Sequence, residues 1–287
     1  MPETRRYTSG NALRTALEER LKRIAGDESI DLQRLRRQVA FDRFLARLFD
    51  SGLSDWVLKG GYAMELRFRK ARTTKDLDFT VRTRPEGEED SVLATLQEVG
   101  AAEIGDWFSF RVSEATTDLD GAPYGGARYP VEAMLAGRTF VKFHVDIGIG
   151  DVIVDPTDEI QTRDWLGFAG IDAVCVRMIQ SEQQFAEKIH AYTLPRGGAP
   201  NSRVRDLVDL TLLVRSGNMD QLRAATALRR TFDRRGTHEL PERLFAPPQN
   251  WAVPFARMAE ECSLPIDAAG AFDEVAAYFE QVLARSS

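Results

Sequence analysis

A short apolar run, Trp56-Val57-Leu58, stops at Lys59-Gly60-Gly61, and after fourteen intervening residues the chain reads Asp76-Leu77-Asp78. No other feature restricts the fold as much. The alternation from Asp76 to Val81 predicts a strand with Asp76, Asp78 and Thr80 on one face and Leu77, Phe79 and Val81 on the other. Two carboxylates at i and i+2 of a strand sit roughly 6–7 Å apart at Cα and can share divalent cations. Hard cations held by carboxylate and phosphate oxygens are the usual machinery for in-line displacement at phosphorus. A Gly-Gly turn lets backbone N–H groups approach a polyphosphate with no Cβ in the way. An isolated Asp-x-Asp is common at exposed strand ends; preceded by a strand, a Gly-Gly turn and a short helix, it is more specific.

A third carboxylate strengthens the pattern. Asp146 interrupts an alternating apolar run, Phe143-His144-Val145-Asp146-Ile147-Gly148. A carboxylate between Val145 and Ile147 is costly to bury unless it is paired or metal-bound. His144 shares its face and fits either a substrate contact or a hydrogen-bonded structural role. Asp151 and Asp155 follow in expected loops.

The charge distribution bears on the partner. The formal net charge of the 287 residues is −6, which by itself argues against a uniformly basic nucleic-acid binder. The average hides a strong asymmetry. Residues 67–84 carry a net +5, residues 196–235 a net +5, and residues 85–195 a net −13. Each basic segment fits a solvated helix face or a phosphate-binding surface. With 43% hydrophobic residues the chain is not of the disordered class. No run approaches the ~18 apolar residues of a membrane span, and the N-terminus MPETRRYTSG lacks a signal-peptide core. Cys175 and Cys262 make neither a disulfide framework nor a zinc site. These observations predict a cytosolic protein with no membrane partner.

Periodicity predicts helices over 11–25 and 32–51, the latter capped by Asp31, and strands over 56–58, 77–81, 139–149 and 173–178. A helix is expected to start at Tyr62 and another to span 89–99. Gly121, Pro123, Gly125, Gly126 and Pro130 suggest short strands and loops over 100–137. From Ser181 the pattern is helical: 181–193, 203–216, 219–234, 252–262 and 268–284. An α/β front part with a helical rear part follows, divided near residue 180.

In the rear part, Lys188 sits among Phe185, Ala186, Ile189 and Ala191 on a helix. It reads either as a snorkelling surface lysine or as a point charge beside a triphosphate. Asp206 and Asp209, at i and i+3, share one side of the next helix beside Arg205. They fit a surface pair with Arg203 or Arg205, an orienting partner for Lys188, a base contact, or a group near an acceptor hydroxyl.

Gly60-Gly61, Asp76-Leu-Asp78 and the strand residue Asp146 together resemble the nucleotidyltransferase superfamily with a DNA polymerase β-like core. The segment Phe185-Ala-Glu-Lys188-Ile-His-Ala-Tyr192 and the motif Arg205-Asp206-Leu-Val-Asp209 resemble the AbiEii/AbiGii toxin family and the related mycobacterial nucleotidyltransferase toxins. The resemblance covers about residues 55–215. It departs at the turn, where the superfamily often has Gly-Ser and this chain has Gly60-Gly61, so backbone N–H groups replace a hydroxyl contact.

The resemblance implies a polymerase β-like α/β (α+β) core with a mixed sheet over 1–180 and a helical C-terminal bundle over 181–287. It implies an NTP substrate and a two-Mg²⁺ site at Asp76, Asp78 and Asp146, with Asp146 as general base. Nucleotide contacts fall to Gly60, Gly61, Thr74, Lys188 and Arg205. Lys188, Asp206 and Asp209 join the catalytic set, with either aspartate as the essential one. The implied activity is that of the toxin of a toxin–antitoxin pair, adding nucleotides to the 3′ end of tRNA. The implied partners are tRNA and a helix-turn-helix antitoxin, and Thr74 is the position where phosphorylation would regulate it. Trp56, Tyr62, Trp107, Phe108 and Tyr192 are candidates for stacking on bases or for the core. A small-molecule nucleotidyltransferase, a protein-modifying nucleotidyltransferase or kinase, and a non-enzymatic binding module share the front-half pattern.

Overall fold

A computed structural model describes residues 7–82, 90–119, 121–198 and 200–285. Arg84, part of the first basic segment, lies outside them. Two N-terminal helices open the chain, α1 (Gly10–Glu28) and α2 (Leu32–Asp50). Ser9 caps α1 by accepting from the Ala12 amide, and Asp31 caps α2 by accepting from the Arg34 amide at 2.8 Å. Leu13, Leu17 and Leu21 line one side of α1 at four-residue spacing and are buried.

The strand β1 (Trp56–Lys59) runs directly into α3 (Gly60–Arg67), which is followed by β2 (Asp76–Val81) and α4 (Asp90–Ala101). Next come β3 (Phe108–Val112), β4 (Thr117–Asp118), β5 (Gly126–Leu135), β6 (Arg138–Ile149), β7 (Asp158–Gln161) and β8 (Cys175–Met178). The helices α5 (Ser181–Thr193), α6 (Val204–Ser216), α7 (Gln221–Arg235), α8 (Ala252–Glu261) and α9 (Ala268–Ala284) complete the chain.

The eight strands form one mixed sheet in the order β3-β5-β6-β2-β1-β8-β7, with β4 beside β5. The pairs β2–β6 and β1–β8 are parallel, whereas β5–β6 and β3–β5 are antiparallel. Residues directly opposite across a ladder point to the same side. Leu77, Phe79, Phe143, Val145 and Ile147 therefore share a buried face. Phe41 and Phe44 of α2 pack edge-on against Phe143 on that face, with ring centroids at 5.0 and 6.1 Å. The opposite face carries Asp76, Asp78, His144 and Asp146.

The chain divides into two compact units. The first comprises residues 1–58, 73–150 and 159–178, and the second residues 59–72, 151–158 and 179–287. The sequence pattern suggests a single boundary near 180; by contact, the Gly-Gly segment and a short loop belong with the C-terminal helices. The second unit has its own core, including Phe185, Leu207, Leu210, Phe232, Phe255 and Phe279, at the meeting of α5, α6, α7, α8 and α9.

Two sequence expectations differ from the structure. The helix α3 starts at Gly60 rather than Tyr62, so the two glycines form its first turn. The stretch 100–137 holds a ten-residue strand, β5, instead of short strands alone. Its alternation of Ala127, Tyr129, Val131, Ala133 and Leu135, all buried, was masked by Gly126 and Pro130.

Candidate active site

In the first unit the register of β2 against β6 decides which acidic side chains meet. Asp76 lies opposite His144 and Asp78 opposite Asp146, so all three carboxylates and the imidazole project from one face. His144 Nδ1 lies 3.0 Å from an Asp76 oxygen. From the next strand, Arg128 stands opposite Asp146 and donates to both its oxygens, Nε at 2.8 Å and Nη2 at 2.6 Å. The same Nη2 is 3.5 Å from Asp76. Hydrogen bonding to Asp146, then the charges of Asp146, Asp76 and Asp78, raise the basicity of Arg128 above that of a free guanidinium. Thr74 is buried, and its hydroxyl donates to the Asp76 carbonyl in a long bond of 3.4 Å.

The donor set suits a divalent metal. It consists of hard oxygens on one face, and a cationic side chain already spans two of the carboxylates. Among the described residues no three His, Cys, Asp or Glu side chains converge into a ready-made cage. Phosphate oxygens of a nucleotide would have to complete any coordination sphere.

The second unit carries the Gly-Gly turn and the C-terminal motifs. Gly60 has φ +68°, the left-handed region that glycine enters at little cost. Its carbonyl accepts from Gln184 Nε2 at 2.7 Å, which fixes the turn to α5. Lys188 lies 2.6 Å from Asp209 and 3.1 Å from Asp206. Arg72 donates to both oxygens of Asp209, at 3.0 and 2.7 Å. Asp209 is fully buried between the two cations. Burial would push the Lys188 ammonium down, but Asp209 and Asp206 outweigh it and hold its pKa above the ordinary lysine value. Burial would likewise push Asp209 up, but Lys188 and Arg72 hold it below the usual carboxylate range. Both stay charged at neutral pH. An ammonium has three donors, and two of those of Lys188 go to these aspartates. Arg205, next along α6, is exposed.

A second buried network in this unit was not evident from the sequence. Lys59, the residue before Gly60, lies 2.6 Å from Asp151 and 3.5 Å from Glu187. Arg235 lies 2.9 Å from the other Asp151 oxygen and 3.8 Å from Glu187. Burial lowers the Lys59 pKa, but Glu187 and Asp151 outweigh it and the net shift is upward.

A sequence-family model described as "Nucleotidyl transferase AbiEii toxin, Type IV TA system" matches residues 43–285. The chain belongs to the AbiEii family. It is therefore a nucleotidyltransferase toxin of a type IV toxin–antitoxin system. A comparison with curated proteins finds no match. Among solved structures, this AbiEii chain is similar to MenT4, a nucleotidyltransferase toxin from Mycobacterium tuberculosis H37Rv. The TM-score is 0.59 and the identity 18%, over 94% of this chain and 97% of MenT4. JHP933 from Helicobacter pylori gives a TM-score of 0.49 at 15% identity, over 89% and 94% of the two chains. A nucleotidyltransferase structure from H. pylori gives 0.48 at 14%, over 90% and 97%. The MenT4 match shows that the mixed α/β architecture is that of a nucleotidyltransferase toxin. No described helix of this AbiEii protein is long and apolar enough to cross a membrane.

Within each unit the candidate residues of the sequence do come together: Asp76, Asp78 and Asp146 in the first, Lys188, Asp206 and Asp209 in the second. Sequence reasoning missed Arg128, Arg72 and the Lys59–Asp151–Arg235–Glu187 network. Arg72 lay inside the noted basic segment but had no visible partner. Arg128 could have been found by extending β5 through Pro130. Of the aromatic candidates, Trp56, Tyr62, Phe108 and Tyr192 are buried core residues, and the Tyr192 hydroxyl donates to the Phe245 carbonyl. Part of the basic charge is also consumed internally: Arg67 pairs with Asp158, Arg72 with Asp209, Arg215 with Glu274 and Arg235 with Asp151. Arg69, Arg205, Arg223, Arg229 and Arg230 are exposed.

Proposed function

We propose that this AbiEii protein transfers a nucleoside monophosphate from an NTP to the 3′ end of an RNA, with tRNA as the acceptor. The observation that carries the reading is the β2–β6 register, which sets Asp78 directly opposite Asp146 and puts Asp76 on the same face. Asp76, Asp78 and Asp146 would hold Mg²⁺. The metal supplies charge neutralisation at the attacking and leaving oxygens of an in-line displacement.

The chain's own residues have separable tasks. A hydroxyl oxygen of the acceptor bonds to the α-phosphorus, the bond to the β-bridging oxygen breaks, and pyrophosphate leaves. Asp146 takes the hydroxyl proton. The Gly60-Gly61 turn offers backbone N–H groups to the phosphates, with Thr74 and Arg205 as further nucleotide contacts. Lys188 offers its remaining donor as a fixed positive charge. Asp209 positions Lys188 and Arg72, and Asp206 shares the load on Lys188. This makes Asp209 the aspartate whose loss disturbs the site more. Exposed arginines such as Arg223 and Arg230 would supply non-specific attraction to RNA phosphates. The family implies an antitoxin partner, which we take to be a helix-turn-helix protein.

The test is incubation of the purified protein with each labelled NTP, Mg²⁺ and total tRNA, in parallel with aminoglycosides and with bacterial protein. Label on tRNA that disappears in Asp76→Asn supports the reading. Label on the small molecules or on protein instead would move the acceptor to another class, and RNA label that survives Asp76→Asn would remove the carboxylates from the chemistry.

A further inference from the structure

On the carboxylate face the positive side chain of Arg128 bridges Asp146 and Asp76. Arg128 is held there by its backbone as well as by its charge. Its carbonyl accepts from the Thr116 amide at 2.9 Å, and near the start of β5 it pairs with Thr117 of β4 on one side and Asp146 of β6 on the other. Its guanidinium takes both oxygens of Asp146 in a fork and reaches toward Asp76. A divalent ion binds carboxylate oxygens at about 2.0–2.1 Å in the case of Mg²⁺. An ion on the same Asp146 oxygens would share their lone pairs with the guanidinium and meet its positive charge at close range, so the fork weakens metal binding. The Arg128 side chain is 35% exposed, so it can leave toward solvent without repacking the core.

We propose that Arg128 is an internal counter-cation that competes with divalent metal for Asp146 and Asp76. It makes metal binding weak until a nucleotide adds its own phosphate oxygens as ligands. Arg128 is thus a positioning residue that sets metal affinity. The inference rests on the assignment of these carboxylates to the metal. Its physical basis is linkage: whatever part of the fork's free energy is lost when the metal binds is subtracted from the metal's affinity, so removing the fork tightens the metal. A guanidinium kept only to hold β5 against β6 would show no such coupling.

The experiment is a Mn²⁺ titration followed by electron paramagnetic resonance, without nucleotide, on wild type, Arg128→Gln, Arg128→Lys and Asp146→Asn. The expected result is at least about tenfold tighter Mn²⁺ binding in Arg128→Gln, a shift of about 1.4 kcal/mol. Arg128→Lys keeps the charge but loses the fork and should fall between the two. Asp146→Asn should bind weakest. Melting temperatures supply a second readout. Arg128→Gln should melt below wild type in chelator and gain more than wild type from excess Mn²⁺. Binding that depends on Asp146 but is no tighter in Arg128→Gln or Arg128→Lys overturns the competition while leaving the metal assignment standing. Binding indifferent to Asp146→Asn, or none in any protein, overturns both. If Arg128→Gln fails to fold, the Arg128→Lys arm decides.

Discussion

The two units differ in how far they seal crowded charge from solvent. In the second unit each buried network is balanced. Lys188 and Arg72 face Asp206 and Asp209, and Lys59 and Arg235 face Asp151 and Glu187. In the first unit, on the face of β2, β5 and β6, one guanidinium, that of Arg128, is shared between Asp146 and Asp76, and His144 lies beside Asp76. A balanced buried network holds a scaffold in one geometry and has little capacity for another charge. A guanidinium shared between two carboxylates and 35% exposed can turn away and leave its carboxylates to another cation. The first unit does keep a closed network elsewhere. Arg43 and Arg47 both pair with buried Asp106, whose pKa burial would raise but the two guanidiniums lower. That network is sealed from solvent, whereas the Arg128 bridge of the candidate site is not.

That contrast can be broken by substitution. The largest effect should come from Asp78→Asn. We expect nucleotidyl transfer to fall by at least about 10²-fold, with a smaller loss of melting temperature than Asp209→Ala in the second unit. Activity assays beside thermal melts read both. In the second unit the balance should reverse the outcome. Asp209→Ala removes the carboxylate shared by Lys188 and Arg72, leaving Lys188 with Asp206, and should cost about 3–5 kcal/mol in a denaturant titration. Lys188→Met leaves Asp209 paired with Arg72 and should cost less, about 1–3 kcal/mol, while transfer is lost. Equal destabilisation by the two variants would show that Asp209 is not the shared anchor.

A smaller effect concerns pH. Burial, then the Arg235 charge, lower the pKa of His190 to about 3, so it is neutral in the folded protein. The unfolded chain has the ordinary histidine pKa near 6.5. Between these values the unfolded chain binds more protons, so stability falls as pH drops from about 6.5 toward 3. His190→Asn should flatten that part of the stability profile. The smallest effect is expected on the surface. Arg230→Gln should weaken tRNA binding slightly and reduce its salt slope by about one unit.

Local periodicity made most of the fold legible. The helices from Ser181 onward lie close to their expected bounds because their apolar stripes are strong, and Asp220 and Asp267 cap α7 and α9 by accepting from the Arg223 and Gly270 amides. β2 and β6 were legible because their alternation is strict. β5 was not, since Pro130 and Gly126 mimic loop punctuation while the ladder tolerates both. The carboxylates of the site could be read from spacing alone. Their cationic partners could not, because Arg128 and Asp146 meet through strand pairing, and Arg72 and Asp209 across 137 positions of sequence. The pairings of Asp206 and Asp209 were likewise not legible: only the structure shows Asp209 shared by Lys188 and Arg72.

The central claim is that the face bearing Asp76, Asp78 and Asp146 performs the chemistry. It is tested most directly by single-turnover transfer of labelled NMP to purified tRNA, comparing wild type with Asp78→Asn after both are shown to be folded. The expected result is pyrophosphate release and tRNA labelling in wild type, and neither in the folded variant. Undiminished labelling by folded Asp78→Asn would contradict the claim.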